Sequence, residues 1–197
     1  MAKQKMTEAT DPGEGGKAIR LGDGRRLGFM EWGDPHGAPV LEFRGLPGSR
    51  LGDAIDPGFL LAHRIRRITV DRPGTGASDF LPGRTLLDWP QDVAELADAL
   101  GIGRFTVLGT SGGGPHAAAC AYRLPGRIAR VTLVSGLGPL DRPGAGDGIN
   151  AGEHRMMVLS RDRPMLARAM VGFAVAASGQ ACSSGAWPRP CPSATGR

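Results

Sequence analysis

Residues 105–119 read FTVLGTSGGGPHAAA, a serine set among glycines between an apolar run and an alanine-rich one. Such a string suits a flexible loop, a phosphate cradle, or a sharp turn that presents one hydroxyl. A phosphate-binding loop calls for a lysine after its glycines, and GTSGGGPH has none. A dinucleotide fingerprint fails because its third position is Ser111. GTSGG, residues 109–113, instead matches G-x-S-x-G. A strand-to-helix turn of that pattern needs small flanking residues and holds its serine in a strained conformation with the hydroxyl outward. The amide of Gly112, at a helix N-terminus, would then favour an oxyanion. Taken alone, the pentapeptide equally fits glycines that merely let a helix pack on a strand.

The elements that must position Ser111 follow from the pattern around it. AIRLGDGRRLGFMEWGDP reads as two short strands around a Gly-Asp-Gly turn. PVLEF (39–43), RRITVD (66–71), RFTVLG and RIARVTLVSG read as further strands, and DAIDPGFLLAHRI holds a short helical piece. In TLLDWPQDVAELADALGI, Trp89, Val93, Leu96 and Leu100 recur at helical spacing, Asp92 and Glu95 take the polar side, and Gly101 ends the helix. Strand and helix then alternate, which predicts an α/β fold with a mostly parallel sheet and flanking helices. In such sheets ligands bind beyond the carboxyl ends of the strands. The loops there are RGLPGSR, RPGTGASD and GTSGGG, all glycine-rich, and they are expected to converge on one site.

Composition narrows the class. The 197 residues are 41% hydrophobic and 22% charged, enough to bury a core. Net charge is +5, but the arginines are scattered rather than striped, so no nucleic-acid partner is expected. Cys120, Cys182 and Cys191 fit neither a metal site nor a disulfide framework. The first sixteen residues lack an apolar signal core, and MLARAMVGFAVAA is too short to span a bilayer and contains Arg168. A cytoplasmic protein with no membrane partner, no metal and no cofactor is expected. The predicted divisions are a flexible tail over 1–17, the core over 18–150, a helical region over 151–177, and a disordered tail over 178–197, which has no Asp, Glu, Leu, Ile, Val or Phe.

The three loops in their order resemble the α/β-hydrolase family, whose members often read H-G-x-P-G-S-R and D-R-P-G-x-G-x-S-D in the first two places. The resemblance covers roughly residues 18–140. It implies a serine nucleophile at Ser111, an oxyanion hole from the amides of Leu46 and Gly112, and a small-molecule acyl substrate such as an ester or amide. Residues 151–177 would be part of a helical cap. Arg44 stands where the family usually has histidine, with either a pairing to Asp71 or a disturbed loop as the consequence. Asp71 and Arg72 are expected to tie neighbouring loops together rather than to react.

A serine hydroxyl needs a histidine base and an orienting acid, in this family both later in the chain. His36 reads as a loop residue and His63 as the end of a short helix, and both precede the serine. His116 lies in the first turn after the elbow, and His154 opens the late helical region; both are weak candidates for the base. Asp141 is a weak candidate for the acid, with a turn residue as the plainer reading. The resemblance therefore predicts a C-terminally truncated chain, by frameshift, early stop or misplaced gene end. It would be incomplete on the C-terminal side of the sheet, with an apolar edge at VTLVSG open to self-association. Three functions stay open: an acyl hydrolase impaired by loss of acid and histidine, a non-catalytic remnant or binding protein, and a lyase or cofactor-free peroxidase on the same elbow. An epoxide hydrolase or dehalogenase fits less well, since those commonly carry aspartate at the serine's place.

Overall fold

The computed structural model describes residues 6–7, 16–46, 48–51, 55–139, 142–144 and 146–177. It divides into two units, Met1–Gly138 and Pro139–Arg197. The break therefore falls about a dozen residues before the expected limit of the core at 150.

Unit one is a seven-stranded sheet. Its strands are β1 (Met6–Thr7), β2 (Lys17–Arg20), β3 (Arg26–Gly33), β4 (Ala38–Phe43), β5 (Ile65–Val70), β6 (Phe105–Thr110) and β7 (Ile128–Val134). Helices α1 (Pro57–Ala62), α2 (Trp89–Ala99) and α3 (Gly114–Arg123) connect them. The order across the sheet is β1-β2-β3-β5-β4-β6-β7. The hairpin β2–β3 and the pair β3–β5 are antiparallel, whereas β5–β4, β4–β6 and β6–β7 are parallel. This is the mostly parallel sheet with flanking helices that the sequence predicts. One expectation needs correction: Met6 and Thr7, placed in a flexible tail, pair with Ile19 and Ala18. The free backbone edge of β2 can accept a strand whatever its side chains.

After β4 the chain adds β5 on one side and β6 on the other. This reversal is the switch point at which open α/β sheets form crevices. The parallel strands also bring Phe43, Val70, Thr110 and Val134 to one edge of the sheet, so the loops after them share that edge.

Strand alternation builds the core. Leu27 and Phe29 of β3, Leu41 and Phe43 of β4, Ile68 and Val70 of β5, and Phe105 and Val107 of β6 are buried. Trp89, Val93, Leu96 and Ala97 of α2, at spacings of four, three and one, close over them with Ala117 and Cys120 of α3. Burial pushes the Cys120 thiol up to about 12. Asp92 does not lie on a solvated face of α2. It is buried and receives Arg25 Nη1 and Nη2 at 3.1 and 2.7 Å, because the β2–β3 turn folds down over the helix. Glu95 likewise accepts the Gly22 N–H at 2.7 Å.

Strand β7 forms the last position in the sheet and is exposed from Ala129 to Val134. The second unit holds α4 (Ala151–Asp162), capped by the Asn150 side chain on Gly152, and α5 (Pro164–Ala177). Helical structure expected over 151–177 is thus two helices broken at Arg163; Pro164 lacks the N–H that would carry one helix through. Residues 178–197 lie outside the described residues. Among the described residues, no helix is long and apolar enough to cross a membrane.

Candidate active site

Strand β6 runs into a short 3₁₀ turn, Ser111–Gly113, and then α3. Ser111 sits at φ 50°, the left-handed region that a residue with a Cβ enters only when its surroundings force it. Sterics explain the glycines beside it. A Cβ on Gly109 would lie 2.6 Å from the Gly113 carbonyl oxygen, and one on Gly113 would overlap the carbonyl of Phe43. The turn therefore closes only with both side chains absent, and it leaves Ser111 half-buried at the carboxyl edge of the sheet.

The loop after β4 passes directly over this turn. A Cβ built on Gly45 would lie 3.1 Å from the Ser111 Cβ and 3.6 Å from its Oγ. A Cβ built on Gly112 would lie 3.5 Å from the backbone nitrogen of Leu46. The backbones of Leu46 and Gly112 are thus immediate neighbours beside the serine. Among the described residues, neither N–H donates to a backbone group outside its own element. Two backbone amides next to one hydroxyl are what an oxyanion site requires. The Leu46 side chain is 69% exposed, and it is the backbone of this residue that lies against Gly112.

The loop after β5 holds the other two in place. Buried Arg72 donates through Nη2 to the Gly45 carbonyl at 2.8 Å and through Nη1 to the Gly112 carbonyl at 3.2 Å. Burial pushes its guanidinium below the ordinary arginine value, with Arg84 adding to the effect, yet it stays charged near neutral pH. Asp71 accepts from the Arg50 amide at 2.6 Å, the Arg50 Nη1 at 2.6 Å and the Ala77 amide at 2.9 Å. With those bonds inside the protein, Asp71 braces the loops after β4 and β5. Arg44 does not reach it. It pairs with Glu42 at 2.8 Å, because residues two apart on a strand share a face and Arg50 already occupies Asp71. Glu42 is also bound by Arg67 at 2.6 Å, so Arg44 joins a buried charge cluster under the loop. The β7 loop adds a last support, the Leu137 amide donating to the Ser111 carbonyl at 3.2 Å.

The histidines are placed as follows. His36 and His63 precede β4 and β5, at the amino ends of the parallel strands and hence the edge opposite Ser111. His116 is buried on α3, its ring edge-on to Trp89 with centroids 5.8 Å apart. Its Nδ1 lies 3.1 Å from the Gly112 carbonyl, which only an Nδ1–H can satisfy. That leaves Nε2 as an acceptor, and it is buried without a partner. Burial, reinforced by the charges of Arg72 and Arg84, pushes His116 down to about 4. A group held that low is a weak acceptor of a serine proton, and its remaining role is to brace the elbow. His154 lies exposed on α4 in the second unit. Asp141 lies outside the described residues. Among the described residues, no side chain is hydrogen-bonded to Ser111 Oγ, and no cluster of His, Cys, Asp and Glu could hold a metal ion. Arg72 ties neighbouring loops together as expected from the sequence; the carbonyls it binds lie on loops far apart in the chain, so spacing could not name them.

Comparison with known proteins agrees with this geometry. A family model described as "alpha/beta hydrolase fold" matches residues 38–152. A non-heme chloroperoxidase of Streptomyces lividans is 35% identical over 124 residues, 62% of this chain and 45% of that protein. A proline iminopeptidase of Xylella fastidiosa is 34% identical over 114 residues, 56% of this chain and 36% of that protein. The chain thus spans less than half the length of these curated relatives. Among solved structures, a hydrolase from Pseudomonas aeruginosa PA01 superposes with a TM-score of 0.61 at 26% identity, over 82% of this chain and 58% of that one. An esterase from Exiguobacterium antarcticum gives 0.58 at 26% identity, over 79% and 59%.

Proposed function

The chain belongs to the alpha/beta hydrolase fold family, and from that premise we propose that its site performs acyl chemistry through Ser111 on an ester, amide or similar substrate. Ser111 Oγ would attack the acyl carbonyl, and the N–H groups of Leu46 and Gly112 would receive the oxygen as it becomes negative. The observation that supports this most directly is the strained Ser111 at φ 50° with the backbones of Leu46 and Gly112 beside it. The base and acid are assigned to none of the described residues; what is proposed is only what Ser111 and the backbone amides can do. Oxyanion stabilisation and binding alone leave roughly 10³–10⁴-fold over the uncatalysed reaction when a triad member is missing.

The test is covalent labelling by a fluorophosphonate probe together with turnover of a short p-nitrophenyl ester, both set beside Ser111→Ala. Slow labelling and slow turnover, both lost in the variant, are expected. A folded chain that takes no label would sink the reading and leave a non-catalytic binding role. A second reading is favoured by the similarity to the Streptomyces lividans chloroperoxidase: a cofactor-free peroxidase using the same elbow. Halogenation of a dye in the presence of a carboxylic acid, peroxide and bromide, lost in Ser111→Ala, would select it.

A further inference from the structure

Arg72 joins the two loops that carry the candidate oxyanion amides, through backbone carbonyls rather than through the amides themselves. The Gly45 carbonyl it binds at 2.8 Å belongs to the same peptide group as the Leu46 N–H. The Gly112 carbonyl it binds at 3.2 Å is held a second time by His116 Nδ1 at 3.1 Å. A guanidinium is a rigid planar fork, so two carbonyls bound to its two Nη atoms are fixed relative to each other. The contact is charge-assisted and buried, where such bonds are strongest.

We infer that Arg72 is a positioning residue that polarises the Leu46 N–H and holds its peptide against the Gly112–Gly113 peptide, the one that follows the Gly112 amide. The cation draws electron density toward the Gly45 oxygen, and the amide across that peptide becomes a stronger donor. Substrate does not touch Arg72; its effect passes through the peptide. This deepens the reading of Ser111 as nucleophile and rests on it for its catalytic consequence, but the effect on the Leu46 amide stands apart from any activity.

Hydrogen exchange at single amides, followed by NMR, measures that effect directly. Base-catalysed exchange passes through an imidate whose negative charge lies on the carbonyl oxygen, here the atom that Arg72 binds. Removing the cation slows exchange at Leu46, whereas mere loosening of the loop would speed it. In the full chain, Arg72→Met is expected to slow Leu46 exchange about tenfold, the worth of one charge-assisted bond. Arg72→Lys, which keeps the charge but loses the fork, should slow it less and fold more securely. The exposed Gly126 amide should not change. Where wild type takes the fluorophosphonate label, Arg72→Met should label about 100-fold more slowly, the scale of losing one oxyanion donor, and added methylguanidine should restore part of the rate. Leu46 exchange that is unchanged or faster in both variants, or labelling undiminished in both, overturns the inference. A wild type that takes no label removes the Ser111 reading, while the exchange result still decides the role of Arg72.

Discussion

The Asp71 carboxylate holds Arg50 twice, by the backbone amide and by Nη1, each at 2.6 Å, with both side chains almost wholly buried. The same carboxylate accepts the Ala77 amide, so one side chain joins the loops after β4 and β5. Removing one partner of such a pair strands the other charge away from water. Asp71→Asn is therefore expected to cost about 3–5 kcal/mol, read as a fall in the urea midpoint at unchanged slope. A loss below about 1 kcal/mol would mean that the pair is solvated.

His116 makes stability depend on pH. Its folded-state value of about 4 lies below the ordinary 6.5, so between those values the unfolded chain binds a proton that the folded chain refuses. The contribution is complete above about pH 6.5 and declines as pH falls toward 4. By that point the loss amounts to about 3 kcal/mol, an order-of-magnitude figure. Urea titrations at pH 7 and 4.5 should show a smaller difference for His116→Gln than for wild type. Equal differences would refute the assignment.

The elbow stores strain at one residue. An L-residue in the left-handed region costs about 1–2 kcal/mol, which glycine avoids. Ser111→Gly should raise stability by about 1 kcal/mol, partly offset by the greater freedom glycine gives the unfolded chain, while abolishing probe labelling. Thermal unfolding of the two proteins side by side checks this.

Gly113 answers to space rather than to strain. A methyl there would overlap the Phe43 carbonyl, backbone against backbone, with no flexible side chain to yield. Gly113→Ala is expected to cost more than about 3 kcal/mol and to deplete the folded chain in the soluble fraction. Gly126→Ala, where a Cβ meets nothing within 4 Å, should change little and serves as the control.

Strand β7 exposes Val131, Leu133 and Val134 on an edge that no other strand of the described residues pairs with. Such an edge promotes association between copies. Leu133→Lys is expected to raise the concentration at which light scattering appears on heating, with little effect on the unfolding midpoint. Identical scattering in variant and wild type would show that the edge is not the sticky surface.

Much of this molecule is legible in local pattern. The alternation of apolar residues in β3 to β6, the spacing of Trp89, Val93 and Leu96, and the small residues on both sides of Ser111 each reflect an interaction within a few residues of the chain. The ordered loops RGLPGSR, RPGTGASD and GTSGG extend that reach because parallel strands bring successive loops to one edge. Asp92 is where local pattern misled. Its place on the polar side of α2 is sound helical geometry, but Arg25, 67 residues earlier, covers it. Arg44 was misread for the same reason: Asp71 is its expected partner, but Arg50 already holds Asp71, and Arg44 pairs with Glu42 instead.

The sequence by itself, through three glycine-rich loops in order, pointed to a sharp strand-to-helix turn at Ser111, because the glycines beside it carry no side chain to block one. The tertiary structure decided what surrounds that serine. It brought the Leu46 amide to the Gly112 backbone, set one arginine across the Gly45 and Gly112 carbonyls, turned His116 inward as a neutral brace, and put His36 and His63 at the far edge of the sheet. Those outcomes depend on strand order and on which buried charges meet first. They are properties of contacts between residues tens of positions apart, which no local spacing encodes.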